Sequence, residues 1–319
     1  MRTTAVSAFL LLCIGSAAAQ TSVQEYPLPP RITAHDVWAD PAPGGPVWFS
    51  GQSSGNAGRL DPATGKVELI PLGSGSSPHG VILDRDGSAW FTDGGQNAIV
   101  RVDAKTKEVK KWPLPEGSGY TNLNTAIFDQ AGIHWFTGQS GIYGRLDPRT
   151  GDLKVYDAPK GRGPYGIHAT PEGTVYFASL AGSYVGRIDA ASHKVQVIEP
   201  PTRGQGARRV WSDSKGMVWV AEWNSGNLSR YDPKANAWKT WKAPGAGPRV
   251  YAVYVDETDK PWISEWDKQL MMRFDPATEK WDLFASSSGT ANVRQIHGRK
   301  GEVWTPESAA GKLVVYRYK

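Results

Sequence analysis

His79 and Asp93 lie in the stretch SPHGVILDRDGSAWFTDGG that starts at Ser77. Their midpoint is Asp86 in an RDG turn, so a hairpin folded about that turn makes them cross-strand neighbours. A histidine beside a carboxylate can act as a general base or help to hold a cation. Whether this pair is chemistry or one copy of a structural unit depends on what occupies the same two positions elsewhere in the chain.

The stretch recurs. An aromatic residue inside a short apolar run appears as PVWFS at Trp48, SAWFT at Trp90, IHWFT at Trp135, TVYFA at Tyr176, MVWVA at Trp219, KPWIS at Trp262 and EVWTP at Trp304. The spacings are 42, 45, 41, 43, 43 and 42 residues. A period in the low forties with β-branched and aromatic runs broken by Gly, Pro and Asp turns predicts propeller blades, each a four-stranded antiparallel sheet. The expected fold is all-β: a seven-bladed β-propeller occupying residues 20–319 as a single domain. The last unit stops after LVVYRYK without an outer strand, while SVQEYPLP at Ser22 matches the outer-strand segments KVELIPL and EVKKWPL. The N-terminal strand should therefore complete the last blade and cover its edge. The seven phased aromatics are expected to pack between blades.

Repeating the His79/Asp93 construction in every blade gives two rings. The first reads His35, His79, Asn124, Tyr165, Arg208, Tyr251, Val293, and the second Gly51, Asp93, Gly138, Ser179, Glu222, Glu265, Glu307. These positions vary and are mostly polar, as expected of a binding face on a repeat scaffold. His79 is the candidate base, with His35 assisting and Glu307 as a further catalytic group. Asn124, Tyr165, Arg208 and Tyr251, with Trp223 and Trp266 as a stacking rim, are the candidate substrate contacts. Asp93, Glu222, Glu265 and Glu307 could together hold Mg²⁺ or Ca²⁺, or be neutralised by Arg208, Arg209, Arg249 and Arg294, with Arg208 and Glu222 as the clearest cross-strand pair. His134, His168, His193 and His297 fall outside this phase and read as ordinary strand or turn residues.

The chain opens with Arg2, an apolar run to Gly15 and Ala17-Ala18-Ala19, the pattern of a cleaved signal peptide over residues 1–19, which places the protein in the periplasm or outside the cell. The single cysteine, Cys13, lies in that segment, so no disulfide or thiolate chemistry is expected of the rest. The formal charge of +5 is dispersed rather than gathered in a patch, which argues against a nucleic-acid partner. No second apolar segment is long enough to cross a bilayer, and the expected state is a monomer with a small-molecule or peptide ligand at the mouth. No H-E-x-x-H, G-x-S-x-G or glycine-rich phosphate loop occurs.

The SPHG and WFT phrases, GPYGIHATPEG at Gly163 and the YPLP-type outer strands resemble the streptogramin B lyase (virginiamycin B lyase) family over essentially the whole mature chain. The resemblance implies opening of the ester of a cyclic depsipeptide by elimination, with Mg²⁺, a histidine base and glutamates of the last blades. By repeat phase the family's glutamate after the last W-F-T phrase falls on Glu307. Its two histidines fall on Val293 and Tyr251, and a further glutamate on Ala291, so those roles are not carried over. Two alternatives are a non-catalytic binding propeller of the cell envelope and a lactonase-type hydrolase. The latter resembles six-bladed gluconolactonases, which the blade count disfavours.

Overall fold

The structure, a computed structural model, describes residues 21–318 apart from Ala246 and Pro248. The segment read as a signal peptide, with Cys13, lies outside the described residues. Seven four-stranded antiparallel sheets follow one another along the chain, with strand order A-B-C-D from the axis outward. The inner A strands are Val37–Ala39, Pro78–Leu83, Leu123–Phe128, Pro164–Ala169, Ala207–Ser212, Val250–Val255 and His297–Arg299. The B strands are buried along nearly their whole length, as in Ala89–Asp93, whereas the outer strands are largely exposed, as in Lys280–Ala285. No helix among the described residues is long and apolar enough to cross a membrane.

The last blade is built from both ends of the chain. Ser22–Pro27 pairs antiparallel with Lys312–Arg317, Ser22 opposite Arg317 and Pro27 opposite Lys312, which is the expected closure. All seven phased aromatics are buried, none more than 3% exposed. Burying an indole also buries its N–H, and an acid six residues earlier accepts it in several blades: Trp90 donates to Asp84 at 2.8 Å, Trp135 to Asp129 at 2.8 Å, Trp219 to Asp213 at 3.0 Å and Trp262 to Asp256 at 2.9 Å. In the fourth blade the ring is Tyr176 and the matching residue is Thr170, so acid and indole change together.

What positions the inner rings of side chains is a bulge near the start of the A strand in the second to sixth blades. In the second blade Val81 lies opposite Phe91 but Pro78 opposite Asp93, so the A strand carries one extra residue. A bulge releases a residue from the ladder and re-aims its side chain. The freed amide of Gly80 donates to Thr92 Oγ1 at 2.9 Å, and that hydroxyl donates in turn to the Asn124 carbonyl of the next blade. Ser50 does the same between Asp36 N (3.0 Å) and the His79 carbonyl (2.5 Å), and Thr137 between Thr125 N and the Tyr165 carbonyl. Glycine follows His79 and Tyr165 because the A strands approach closely there: a Cβ on Gly80 would meet Asn124 O at 2.6 Å, and one on Gly166 would meet Arg209 Cα at 2.6 Å.

Candidate functional site

The ring His35, His79, Asn124, Tyr165, Arg208, Tyr251 does come together at one end of the channel. It is completed by the residue that follows in each blade, a second ring of Asp36, Gly80, Thr125, Gly166, Arg209, Ala252 and Arg294. His35 Nδ1–H donates to Asp36 Oδ1 at 2.8 Å, and Arg294 Nη1 donates to His35 Nε2 at 3.1 Å. Asn124 Nδ2 donates to His79 Nε2 at 3.0 Å, and His79 Nδ1 stands 3.9 Å from Asp36 Oδ2 without a hydrogen bond. The two imidazoles lie with centroids 4.0 Å apart and their planes tilted by 52°. Across the channel Arg209 Nη2 reaches both Asp36 oxygens at 3.3 and 3.4 Å, while its Nη1 donates to Thr125 Oγ1, which donates to Asn124 Oδ1 at 2.6 Å. Asp36 and Arg209 are each 1% exposed, so a fully buried ion pair ties the first blade to the fifth.

The other half of the mouth is aromatic. The Tyr165 and Tyr251 hydroxyls are 3.0 Å apart, and Arg208 Nη2 donates to Tyr165 at 2.8 Å. The Arg208 guanidinium lies 3.8 Å from the Tyr251 centroid, 4.3 Å from Trp223 and 4.6 Å from Tyr165. Trp266 stacks on Tyr251 at 5.2 Å and 19°. Burial pushes Tyr251 up, but the combined field of Arg208, Arg209 and Arg294 outweighs it and holds this phenol below its ordinary value, whereas burial and the Tyr251 neighbour hold Tyr165 above it. His35 is held well below the ordinary histidine value by burial and then by Arg294, Arg209 and Arg208. His79 is lowered likewise by burial and then by His35. Both imidazoles are therefore neutral near pH 7.

Three sequence expectations change. The bulge sets Pro78, not His79, opposite Asp93, so the expected His79–Asp93 cross-strand pair is not formed. Arg208 sits one residue past Ala207, which pairs with Glu222, and it stacks on rings instead of meeting that carboxylate. The four carboxylates do not converge on one ion. Asp93 accepts from Ser76 Oγ and the amides of Ser77, Gly95 and Gln96, between 2.5 and 3.0 Å. Glu265 accepts from the amides of Arg249, Asp267 and Lys268. Glu222 takes Ser225, Asn227 and Ser229, and Glu307 takes Ser286, Ser288 and Lys312. Each carboxylate thus organises the B–C turn or neighbouring loop of its own blade. Among the described residues the group of three potential ligands within 4.8 Å of one another is His35, Asp36 and His79. Two imidazole donors flanked by Arg209 and Arg294 do not fit Mg²⁺, which takes oxygen ligands.

His35 and Arg294, with Thr33, Gln52, Asn292 and Ser308, line a cavity of about 270 Å³ open to the surface, and His79 lies behind His35. Asp36 lies one residue past the His79 position and so falls outside the two positions that hairpin symmetry relates from blade to blade. The adjacent position carries a signal of its own, charged or hydroxylated in four blades and Gly or Ala in the other three.

The sequence profile of the virginiamycin B lyase family matches residues 12–242. No curated protein matches the chain in sequence. Among solved structures, a streptogramin B lyase superposes with a TM-score of 0.84 at 20% identity, covering 94% of this chain and 98% of that one. Virginiamycin B lyase from Staphylococcus aureus gives 0.84 at 19% identity, covering 93% and 99%. A catalytically inactive form of the Staphylococcus aureus enzyme, solved with quinupristin, gives 0.85 at 19% identity with the same coverage.

Proposed function

The chain belongs to the virginiamycin B lyase family, and on that footing we propose that it opens an ester in a cyclic depsipeptide or similar small molecule by elimination, with His35 as the base. The observation that carries this is the His35–Asp36 dyad at the edge of the open cavity. Asp36 fixes the proton on Nδ1 and so leaves Nε2 as the acceptor. Burial among arginines keeps that imidazole unprotonated in neutral solution. Arg294 covers Nε2 in the free protein and has no carboxylate partner among the described residues, so a substrate carbonyl can draw it away. Nε2 then takes the proton from the carbon α to that carbonyl, while Arg294 stabilises the negative charge on its oxygen. The C–O bond at the β-carbon breaks, the acyl group leaves as a carboxylate, and a carbon–carbon double bond forms without water. A macrocycle would rest on the Trp223–Tyr251–Trp266 surface with only its reacting ester in the cavity. We place the protein outside the cytoplasm, acting as a monomer.

A second reading, binding without turnover, is favoured by Val293 and Ala291, which are buried and apolar at family positions that carry reactive groups. Mass spectrometry of a streptogramin B depsipeptide incubated with the protein separates the readings. Elimination gives a linear product of unchanged mass that His35→Ala abolishes and EDTA does not. A product heavier by one water means hydrolysis, and binding with no product in wild type discards the lyase reading.

A further inference from the structure

The opposite end of the channel carries a second set of side chains that the first site does not use. Three residues after the His79 position, or four in the last blade, the A strands hold Trp38, Ile82, Ile127, His168, Trp211, Tyr254 and His297, each paired with the buried aromatic of the neighbouring B strand. Two blades carry isoleucine there, and five carry rings. Those five gather on the axis: Trp38 stacks on His297 at 3.7 Å, His168 on Trp211 at 4.0 Å, and Trp211 meets Tyr254 at 5.1 Å and Trp38 at 6.2 Å. They form the floor of a cavity of about 680 Å³ that opens between the A–B turns.

The rim of this cavity is acidic. Asp84 is offset by Arg101 and Asp256 by Arg273, but Asp213, Glu257 and Asp259 have no Lys or Arg partner among the described residues. Against them stands Arg85, which donates to the Gln130 carbonyl. Burial drives His168 and His297 down to about 3, so the floor adds no positive charge. His297 Nδ1 accepts from Ala39 N at 3.1 Å, which fixes its tautomer, and His168 Nδ1 is buried without a partner.

We propose that this cavity is a binding site for a small organic cation, an alkylated ammonium held against the faces of Trp38, Trp211 and Tyr254 and drawn in by Asp213, Glu257 and Asp259. Ring faces carry negative potential and attract a desolvated cation. Carboxylates above a ring-lined floor add to that field, and a pocket this size takes an ammonium together with its organic body.

Isothermal titration calorimetry of the full chain with choline and with its neutral isostere 3,3-dimethylbutan-1-ol tests the assignment. Choline should bind saturably and roughly tenfold tighter than the alcohol. Trp211→Ala should abolish binding. Because that change could also unsettle the core, Glu257→Gln on the exposed rim is the second variant, expected to weaken choline about threefold and leave the alcohol unchanged. Equal affinity for the two probes would show an apolar cleft with no charge preference and overturn the proposal, as would no choline binding at 10 mM, about the weakest range worth calling a site.

Discussion

The two ends of the channel are built from neighbouring positions of the same seven A strands, yet they differ in kind. One end is held by charge and hydrogen bonds crossing the axis, with Asp36 between His35 and Arg209 and Arg208 stacked over Tyr251. The other is closed by ring contacts, Trp38 on His297 and Trp211 on His168, with its carboxylates kept to the rim. The difference shows how a repeat diversifies. Positions facing between blades must keep one aromatic per unit, whereas positions facing the axis are shared by all blades and are free to specialise.

Acid should break both ends at once, and that is the largest effect expected. His35 and His79 at one end, His168 and His297 at the other, and His134 in the blade core are all lowered in the fold, the last three to about 3. An unfolded histidine takes up its proton near its ordinary value, so this stability is complete above about pH 6.5 and is lost progressively as pH falls below it. Each group contributes up to about 1.4 kcal/mol per pH unit in that window. Thermal melts between pH 7 and 4.5 should show a steep fall in Tm beginning near pH 6, and a flat profile would mean that the imidazoles are not buried neutral.

Asp36→Ala tests the charged end alone. It leaves Arg209 buried without its counter-charge and should cost about 3–5 kcal/mol in chemical denaturation. The double variant Asp36→Ala with Arg209→Met should recover much of that loss, whereas additive losses would show that the two charges do not act as a pair. Thr92→Val asks how firmly one blade holds the next. It strips the hydroxyl between Gly80 N and the Asn124 carbonyl at nearly constant volume and should cost about 1–3 kcal/mol. The smallest change sharpens the contrast between charge and stacking. Arg208→Lys keeps the positive charge but loses the planar face against Tyr251, Trp223 and Tyr165, for an expected loss of about 0.5–2 kcal/mol.

The blades, their number and the closure by the first strand were legible because each rests on a motif repeated along the chain, the W-F-T phrase or the KVELIPL-type outer strand. The site was legible only to one residue's precision. Hairpin symmetry correctly predicts Val81 opposite Phe91, and then fails beyond the bulge, which a count from the turn does not detect. The glycine in PHG and PYG was the available signal, since a glycine inside a strand marks a bulge or a close backbone approach. The four glutamate and aspartate positions misled for a different reason. A carboxylate at a strand end serves local turn amides as readily as it serves a metal, and only the contacts of Asp93 and Glu265 tell the two apart. His168 and His297 are out of phase with His79, yet they share a phase with each other and with Trp211.

The shared last blade has a consequence for how the chain reaches this state. Arg317 reaches Gln24 across a sequence separation of 293 residues, and the six ladder pairs beside that contact span nearly as far. Contacts this remote are the slowest to form, because the whole intervening chain must be ordered before they repay its entropy. Six blades can assemble in order as they become available, but the ring stays open, with the inner strands of the first and last blades unjoined, until the final residues arrive. Both ends of the channel draw on the first and last blades, through His35 with Arg294 at one and Trp38 with His297 at the other. Neither site can exist in a partly made chain, so any binding or turnover begins only when the ring locks.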